Sequence, residues 1–380
     1  MAIQEKLTSS DINGVKRPMG EATTFPTIAY TDPEIFRAEV DRIFLKSWVP
    51  VGRWDRFKNS GDFITLKIGD EPLLVVKDEA GKIRAYSNVC RHRASPVEVG
   101  KQGNSTSFTC PYHRWSFDLD GKLRAASFME SPTWAEYKDN CKLPEFRVEE
   151  WNGFVFVNFD KEAAPLAPQL TKLTEHLEPF RMHEWVEFPL EWAQDWKVPV
   201  NWKAALENFS EAYHHIGPHA TTAEPFLPAK MARYYDCGND AAAYFHMPTF
   251  DGNPVTELIA PSHVPEHLQN FYGVFNIYPL LNALWAPGFI VPTWIYPISE
   301  TETSLSFSIA VSPEAMALPD FKEQMQNVAD VLKSILLEDV DVFLGLNSAY
   351  TSRFYEPGRL SYQELPVNVL QRFVLRHLGL

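Results

Sequence analysis

The 380-residue chain is 45% hydrophobic and 22% charged, an ordinary globular composition with length for one large or two medium domains. Its 49 acidic and 35 basic residues leave a net charge of −14, which argues against a nucleic-acid binder, since that needs a basic surface. No run of ~18 apolar residues offers a membrane span, and the first twenty residues lack the apolar core of a signal peptide, so a soluble cytoplasmic protein is expected.

Residues 1–25 are polar and broken by Gly and Pro, and read as an arm that wraps a neighbour. Thr31-Asp32-Pro33-Glu34 starts a helix: an N-cap side chain, Pro at the first helical position and an acid in the first turn. This helix runs to about Phe44, with Phe36, Val40 and Ile43 on one face. Trp48–Gly52 opens the first strand. Phe63–Ile68, Pro72–Lys77, Ile83–Ser87 and Gly153–Asn158 follow, rich in Val, Ile and Phe and separated by Gly-Asp, Asp-Glu-Ala-Gly and Trp-Asn-Gly turns. Residues 47–160 therefore read as an all-β domain, with residues 1–46 as an arm and helix packed on the second domain, beyond residue 160.

The tip of that domain carries the most informative stretch, residues 90–121. Cys90 and His92 stand at C-x-H spacing, Cys110 and His113 at C-x-x-H, with seventeen residues between the pairs. Two thiolates and two imidazoles on two short loops suit a [2Fe–2S] cluster with two Cys on one iron and two His on the other. A structural zinc also takes Cys₂His₂, but its ligands more often begin C-x₂₋₄-C with the His pair later. Asp120-Gly121 is a turn signal between strand-like runs Trp115–Leu119 and Lys122–Arg124, so the four residues sit in a loop-and-hairpin setting. Cys141 and Cys237 are expected as free, buried thiols in a reducing cytosol.

Cys90, His92, Arg93, Cys110, Pro111, Tyr112, His113 and Trp115 match C-x-H-R and C-P-Y-H-x-W. The segment resembles the Rieske domain of Rieske non-haem iron oxygenases, the terminal oxygenases of ring-hydroxylating and demethylating systems. Position 114, commonly Gly in that family, is Arg here, which puts the shape and charge of the second loop in question.

A shift to Ala, Pro and Lys at residues 160–170 marks a boundary, so residues 161–380 form the second domain. Leu170–Pro179 reads as helix, Glu187–Val198 as strand, Trp202–His215 as helix, Thr303–Ser312 as strand and Pro319–Leu346 as a long helix. Residues 225–300 are rich in aromatics broken into strands by Pro and Gly. The fold class is α+β, and resembles the helix-grip catalytic domain of the same oxygenases, an antiparallel sheet around one long helix.

A second constellation, E-x-x-H-x-x-x-x-H, comprises Glu211, His214 and His219. Five residues apart on one helix, the two His would point about 140° from each other. Gly217-Pro218 should end the helix and let both rings face one point. Two His and one carboxylate make the facial triad of non-haem Fe(II) oxygenases, with positions open for O₂. The period of the late helix supplies the carboxylate. Phe321, Met325, Val328, Leu332, Leu336 and Phe343 recur at helical spacing, and Asp339 lies on the middle of that apolar face. A buried acid there is costly unless paired or metal-bound. Asp341 falls roughly opposite, and Glu338 about 100° to the side. His215 is the alternative to His214. His246, His263 and His267 could approach the site, whereas His176, His183 and His377 read as surface or packing residues.

The E-N-x-x-x-A-Y-H-x-x-x-x-H text and the Glu338-Asp339 pair resemble the family's mononuclear iron motif and third-ligand site, and favour His214 over His215. The resemblance implies that Glu211 bridges a cluster His to an iron-ligating His across a subunit boundary, with Asn208 beside the site. Most members have Asp at position 211; Glu is similar to the branch acting on quaternary amines such as betaine and carnitine. It also implies a homotrimer, a [2Fe–2S] Rieske cluster, a mononuclear Fe(II), and electrons from NAD(P)H through a separate flavin reductase, directly or by way of a ferredoxin. They would pass from the cluster through His113, Glu211 and His214. No G-x-G-x-x-G fingerprint occurs, so the electron source is another protein. The expected activity is mono- or dioxygenation: hydroxylation or oxidative N- or O-dealkylation of an apolar or aromatic small molecule. The pocket is sought among Phe226, Tyr235, Tyr244, Phe245, Met247, Phe250, Phe271, Phe275, Leu280, Leu281, Trp285, Phe289 and Trp294. The same aromatics could cage a trimethylammonium group. The reading of another class is a zinc-containing helix-grip ligand-binding protein, which would be colourless.

Overall fold

A computed structural model describes residues 3–249 and 260–380. The chain divides into two compact units, Leu45–Ala164 and the paired segments Met1–Phe44 and Pro165–Leu380.

The unit Leu45–Ala164 is built on a seven-stranded antiparallel sheet in the order Val49–Arg53, Phe154–Asn158, Glu145–Trp151, Ile83–Ser87, Glu71–Lys77, Asp62–Ile68 and Gln102–Asn104. A smaller sheet of Phe108–Thr109, Ser116–Phe117 and Leu123–Ala125 carries the second Cys/His loop. Gly121 sits at φ +78 in its hairpin, and a Cβ there would lie 2.7 Å from the Tyr86 ring, so the turn and the packing beneath it both demand glycine.

The other unit holds an eight-stranded antiparallel sheet among the described residues. Phe245, Val274, Leu284 and Val291 stand opposite one another across four strands, and Tyr244, Phe275, Ala283 and Pro292 form the adjacent row. Strand alternation sends these two rows to opposite faces. Gly273 lies where a Cβ would meet the Phe245 carbonyl at 2.5 Å and the Trp285 indole nitrogen at 2.6 Å. Gly273→Ala is therefore expected to destabilise this unit by about 3 kcal/mol through overpacking. Urea unfolding followed by tryptophan fluorescence would show the lowered midpoint, and an unchanged midpoint would mean that the strands spread freely.

Four expectations need correction. Residues 1–25 are no arm: Ile3–Lys6 and Ser9–Lys16 are helical, the latter held by a capping box between Thr8 and Asp11. Their partner is the chain's own C-terminal helix Leu365–Leu378, from which Asn368 donates to the Val15 carbonyl (2.8 Å) and Arg372 to those of Lys16 and Arg17 (2.8 and 2.7 Å). The helix capped by Asp32 changes from α (Pro33–Glu39) to a π-turn (Val40–Phe44). Residues 187–198 are two strands, Val186–Pro189 and Trp196–Val198. The turn Glu191–Ala193 and a left-handed Asp195 separate them.

The fourth concerns the helix of the second constellation, which spans only Trp202–Phe209. Ser210 bonds back to the Leu206 carbonyl, and Glu211 captures the His214 N–H at 3.0 Å. Such local side-chain bonds compete with the helical ladder. His214 and His219 both lie beyond the helix. At its other end, the fully buried Lys203 meets the fully buried Glu39 at 2.6 Å, and the Trp202 indole donates to the same carboxylate. This buried pair pins the helix to the N-terminal segment.

Candidate metal centres

The two Cys/His loops share one backbone pattern. Cys90 N–H donates to the Ser95 carbonyl (2.8 Å) and Ala94 N–H to that of Cys90 (3.2 Å). Cys110 N–H donates to Trp115 (2.8 Å) and Arg114 N–H to Cys110 (3.1 Å). Ala94 and Arg114 occupy the equivalent left-handed positions, at φ 57 and φ 59. Arg114 thus keeps the shape a glycine would give, at about 1 kcal/mol of strain.

Cys90 and Cys110 are buried in a core with Phe108, Trp115 and Phe117, while His92 is exposed and His113 half-exposed. Backbone N–H groups two and three residues on, from His92 and Arg93 and from Tyr112 and His113, point at the two sulfurs. Burial raises the pKa of the Cys90 thiol. At Cys110 burial acts the same way, but the Tyr112 N–H, the neighbouring thiol and the His113 N–H outweigh it and lower the pKa. N–H groups aimed at cluster sulfurs are also a lever on reduction potential. The imidazoles of His92 and His113 stand 4.6 Å apart, and Trp115 stacks on His92 at 4.8 Å. The short helix Trp134–Asn140, which carries no strong sequence signal, sets Trp134 and Tyr137 edge-on against Trp115.

In the other unit, His214, His219 and Asp339 bring their donor atoms within 4.8 Å of one another. Among the described residues they are the one such group of three or more. The four donors of one tetrahedral zinc would crowd closer than that. Cys90, His92, Cys110 and His113 are not grouped in this way, so they fit two irons better than one zinc.

The triad is oriented from behind. Glu211 Oε1 accepts from His214 Nδ1 (2.9 Å) and Glu338 Oε2 from His219 Nδ1 (2.7 Å), which leaves both Nε2 atoms toward Asp339. Asp339 Oδ1 lies 3.1 Å from His219 Nε2 and 3.9 Å from His214 Nε2, and accepts from Asn208 Nδ2 at 3.0 Å. Thr222 donates to Glu338 at 2.7 Å. Burial alone would lower the His219 pKa, but the Asp339 and Glu338 carboxylates outweigh it and raise it. Carboxylates on the far nitrogens of ligating imidazoles fix tautomer and ring direction. His215 is turned elsewhere, with Nδ1 on the Leu227 carbonyl at 3.0 Å, and burial drives its pKa down to about 3.

Asp339 is 2% exposed on the long helix Phe321–Ala349, in line with buried Val328, Leu332, Leu336 and Phe343. Asp341 is exposed. Sequence reasoning missed the role of Glu338 and Thr222; the only signal for Glu338 was its place beside Asp339.

A cavity opens directly on the triad. Its walls include Phe209, Phe245, Tyr272, Val274, Leu284, Val291, Phe307, Leu332, Ile335 and Leu336, with Asn282 and Thr293. Of the aromatics and aliphatics expected there, Phe245 lines it and Phe250 lies outside the described residues; the other eleven are not among its walls. Tyr244, Phe275 and Trp285 belong to strand positions on the opposite face. His246 is held there by Tyr235 and Tyr244 (2.9 and 3.0 Å), and neither His263 nor His267 lines the cavity. All four cysteines are free and buried.

Comparison with known proteins gives consistent matches. The family model for the ring hydroxylating alpha subunit (catalytic domain) matches residues 176–380, and that for the Rieske [2Fe-2S] domain matches residues 47–146. Biphenyl 2,3-dioxygenase subunit alpha of Rhodococcus jostii is 34% identical over 191 residues, 50% of this chain and 41% of that protein. The carnitine monooxygenase oxygenase subunit of Acinetobacter pittii is 33% identical over 198 residues, 52% of each. The chain thus spans about half the length of the curated relatives it matches. In fold, it is similar to naphthalene 1,2-dioxygenase from Rhodococcus sp. bound to indole, with a TM-score of 0.81 and 19% identity over 98% of this chain and 99% of that one.

Proposed function

Because this chain belongs to the family of ring-hydroxylating alpha subunits and contains a Rieske [2Fe-2S] domain, we propose that it is the terminal oxygenase of a multicomponent system acting on an uncharged apolar or aromatic small molecule. The carrying observation is a His₂-carboxylate group at the foot of a cavity walled by aliphatic and aromatic side chains. His214, His219 and Asp339 would hold an Fe(II), and Cys90, His92, Cys110 and His113 a [2Fe–2S] cluster. Iron so held supplies reductive O₂ activation. The chain's own residues do the rest. Glu211 and Glu338 hold the Nδ1 protons of the two imidazoles, Asn208 fixes the Asp339 carboxylate, and the apolar walls exclude water and set the substrate against the triad.

A quaternary-amine substrate is the rival reading, favoured by Glu at position 211 and by Phe209, Phe245, Tyr272 and Phe307 in the cavity wall. The wall argues against a zwitterion such as carnitine. A buried carboxylate needs a cationic partner, and no Lys or Arg lines the cavity among the described residues. The sequence of residues 250–259 contains neither. Electrons are assigned to a flavin reductase, with or without a ferredoxin, and the functional particle to a homotrimer. Four free cysteines fit a reducing cytoplasm.

The test is the visible and EPR spectrum of the reduced, anaerobically purified protein, with metal and sulfide analysis. Both ligand sets filled give a red-brown protein with a Rieske-type signal and about three irons per chain. Substrate-dependent O₂ uptake should then follow an aromatic panel and ignore a methylammonium panel. A colourless protein containing zinc would overturn the enzyme reading, and stimulation by the methylammonium panel alone would overturn the substrate class.

A further inference from the structure

Apart from the triad, Glu211 and His215, the cavity wall is apolar except at three uncharged polar side chains, two of which stand side by side. Asn282 and Thr293 stand directly opposite each other on neighbouring strands, and each is 3% exposed. Tyr272 is 6% exposed and stands apart from this pair, four residues along the strand Phe271–Ile277 from Asn276, the residue opposite Asn282. All three line the cavity. The Asn282 amide spends its two N–H groups inside the protein, on the Phe209 carbonyl (2.9 Å) and Asn276 Oδ1 (2.8 Å). That fixes the amide so that Oδ1 is left as an acceptor. The Thr293 hydroxyl makes no hydrogen bond to another described residue, although Asn276 and Asn282 in the same cross-strand row form a bonded chain with Ser210.

The Thr293 hydroxyl lines the cavity, so its partner is whatever enters there, water or ligand. A site for plain hydrocarbon gains nothing from such a group, because binding strips its water and gives no hydrogen bond in return. The pair instead offers an acceptor at Asn282 Oδ1 and a hydroxyl that can donate or accept at Thr293. We infer that the Asn282–Thr293 pair recognises an uncharged O–H or N–H substituent on an aromatic substrate, such as a phenolic hydroxyl or a carboxamide. The inference rests on the oxygenase reading and narrows its substrate class. Asn282 Oδ1 accepts a hydrogen bond from the substituent, and the Thr293 hydroxyl completes its hydrogen bonding. A site built this way rejects an analogue that lacks the group, because its own polar atoms are then left unpaired.

The experiment uses the anaerobic holoenzyme with both metal sites verified by iron and sulfide count, and measures affinity by isothermal titration calorimetry. The probes are 2-naphthol and its methyl counterpart 2-methylnaphthalene, with 2-naphthamide as a second polar probe. At least one polar probe should bind tighter than the methyl compound by about tenfold or more, the scale of one or two buried hydrogen bonds. Thr293→Val and Thr293→Ala should each bring that ratio toward one. Folding of the variants is checked by the retained Rieske signal, and two separate variants guard against one failing to fold. Equal or weaker binding of both polar probes overturns the inference, as does a ratio unmoved by both substitutions. Loss of the metals from the wild-type protein would be failure of the oxygenase reading itself, and is seen in the iron count before any probe is added.

Discussion

Asp339→Ala is expected to drop the iron content from about three to about two per chain while the Rieske EPR signal stays at full intensity. The carboxylate is the one acid on the buried stripe of the long helix, and its Oδ1 is shared between Asn208 Nδ2 and the His219 Nε2 edge. Alanine would take the carboxylate from the proposed ligand set and leave two imidazoles, too few to hold a divalent ion in an open site. Substrate-dependent O₂ consumption should fall to background. Because the two Cys/His loops lie in the other compact unit, the colour and the sulfide count should not change. The measurement is paired iron and sulfide analysis with EPR on one preparation; unchanged iron would remove Asp339 from the centre. Asp339→Asn is the companion variant, since it preserves shape and volume while losing charge.

Glu211→Gln should leave both metals bound and lower coupled turnover by about 100-fold, the upper range for losing a carboxylate behind a metal-ligating imidazole. One oxygen accepts from His214 Nδ1 at 2.9 Å and the other from the His214 backbone N–H at 3.0 Å. A glutamine can supply one acceptor only, and its amide NH₂ would then face the backbone N–H, donor against donor. The imidazole loses both its orienting charge and its fixed direction. The assay is single-turnover oxidation of the reduced cluster in the presence of substrate and O₂, with iron content as the control. Wild-type coupling in a fully metallated Glu211→Gln protein would sink the route through this side chain. Together the two variants separate holding iron from feeding it.

The parts of this architecture that could be read without coordinates are those in which neighbouring residues do one job. Cys90 with His92 and Cys110 with His113 each lie within a single turn, so their spacing is nearly their geometry. Asp339 was legible through helical period, because the long helix is regular over Phe321–Ala349 and a polar residue on its apolar face stands out. The cavity wall was not legible, for a reason of parity. In a strand a one-residue change of phase exchanges the two faces, and both faces of this sheet are apolar, so Tyr244 and Phe245 look alike in sequence although only Phe245 reaches the cavity. Thr293 and Asn282 escaped notice because small polar residues in a strand carry no signal unless their cross-strand partners are known. The early end of the helix at Phe209 was hidden because Ser210 and Glu211 act through side-chain bonds that propensity does not count. Likewise, Thr8 with Asp11 is a weak capping signal in sequence, and the bonds of Asn368 and Arg372 to the carbonyls at the end of the helix come from the far end of the chain.

That last contact sets an order of events at the ribosome. Leu45–Ala164 is a continuous segment, whereas the other unit is assembled from Met1–Phe44 and Pro165–Leu380. The segment containing Val15 and Lys16 therefore emerges long before Asn368 and Arg372, the side chains that bind its carbonyls. At ordinary rates of synthesis the delay is roughly 18–70 s. During that interval Glu39 also waits for Lys203, its buried counter-charge. The continuous β unit is fully synthesised before Pro165–Leu380 has emerged, so the nascent chain passes through a stage with Leu45–Ala164 able to fold and Met1–Phe44 still without its partners.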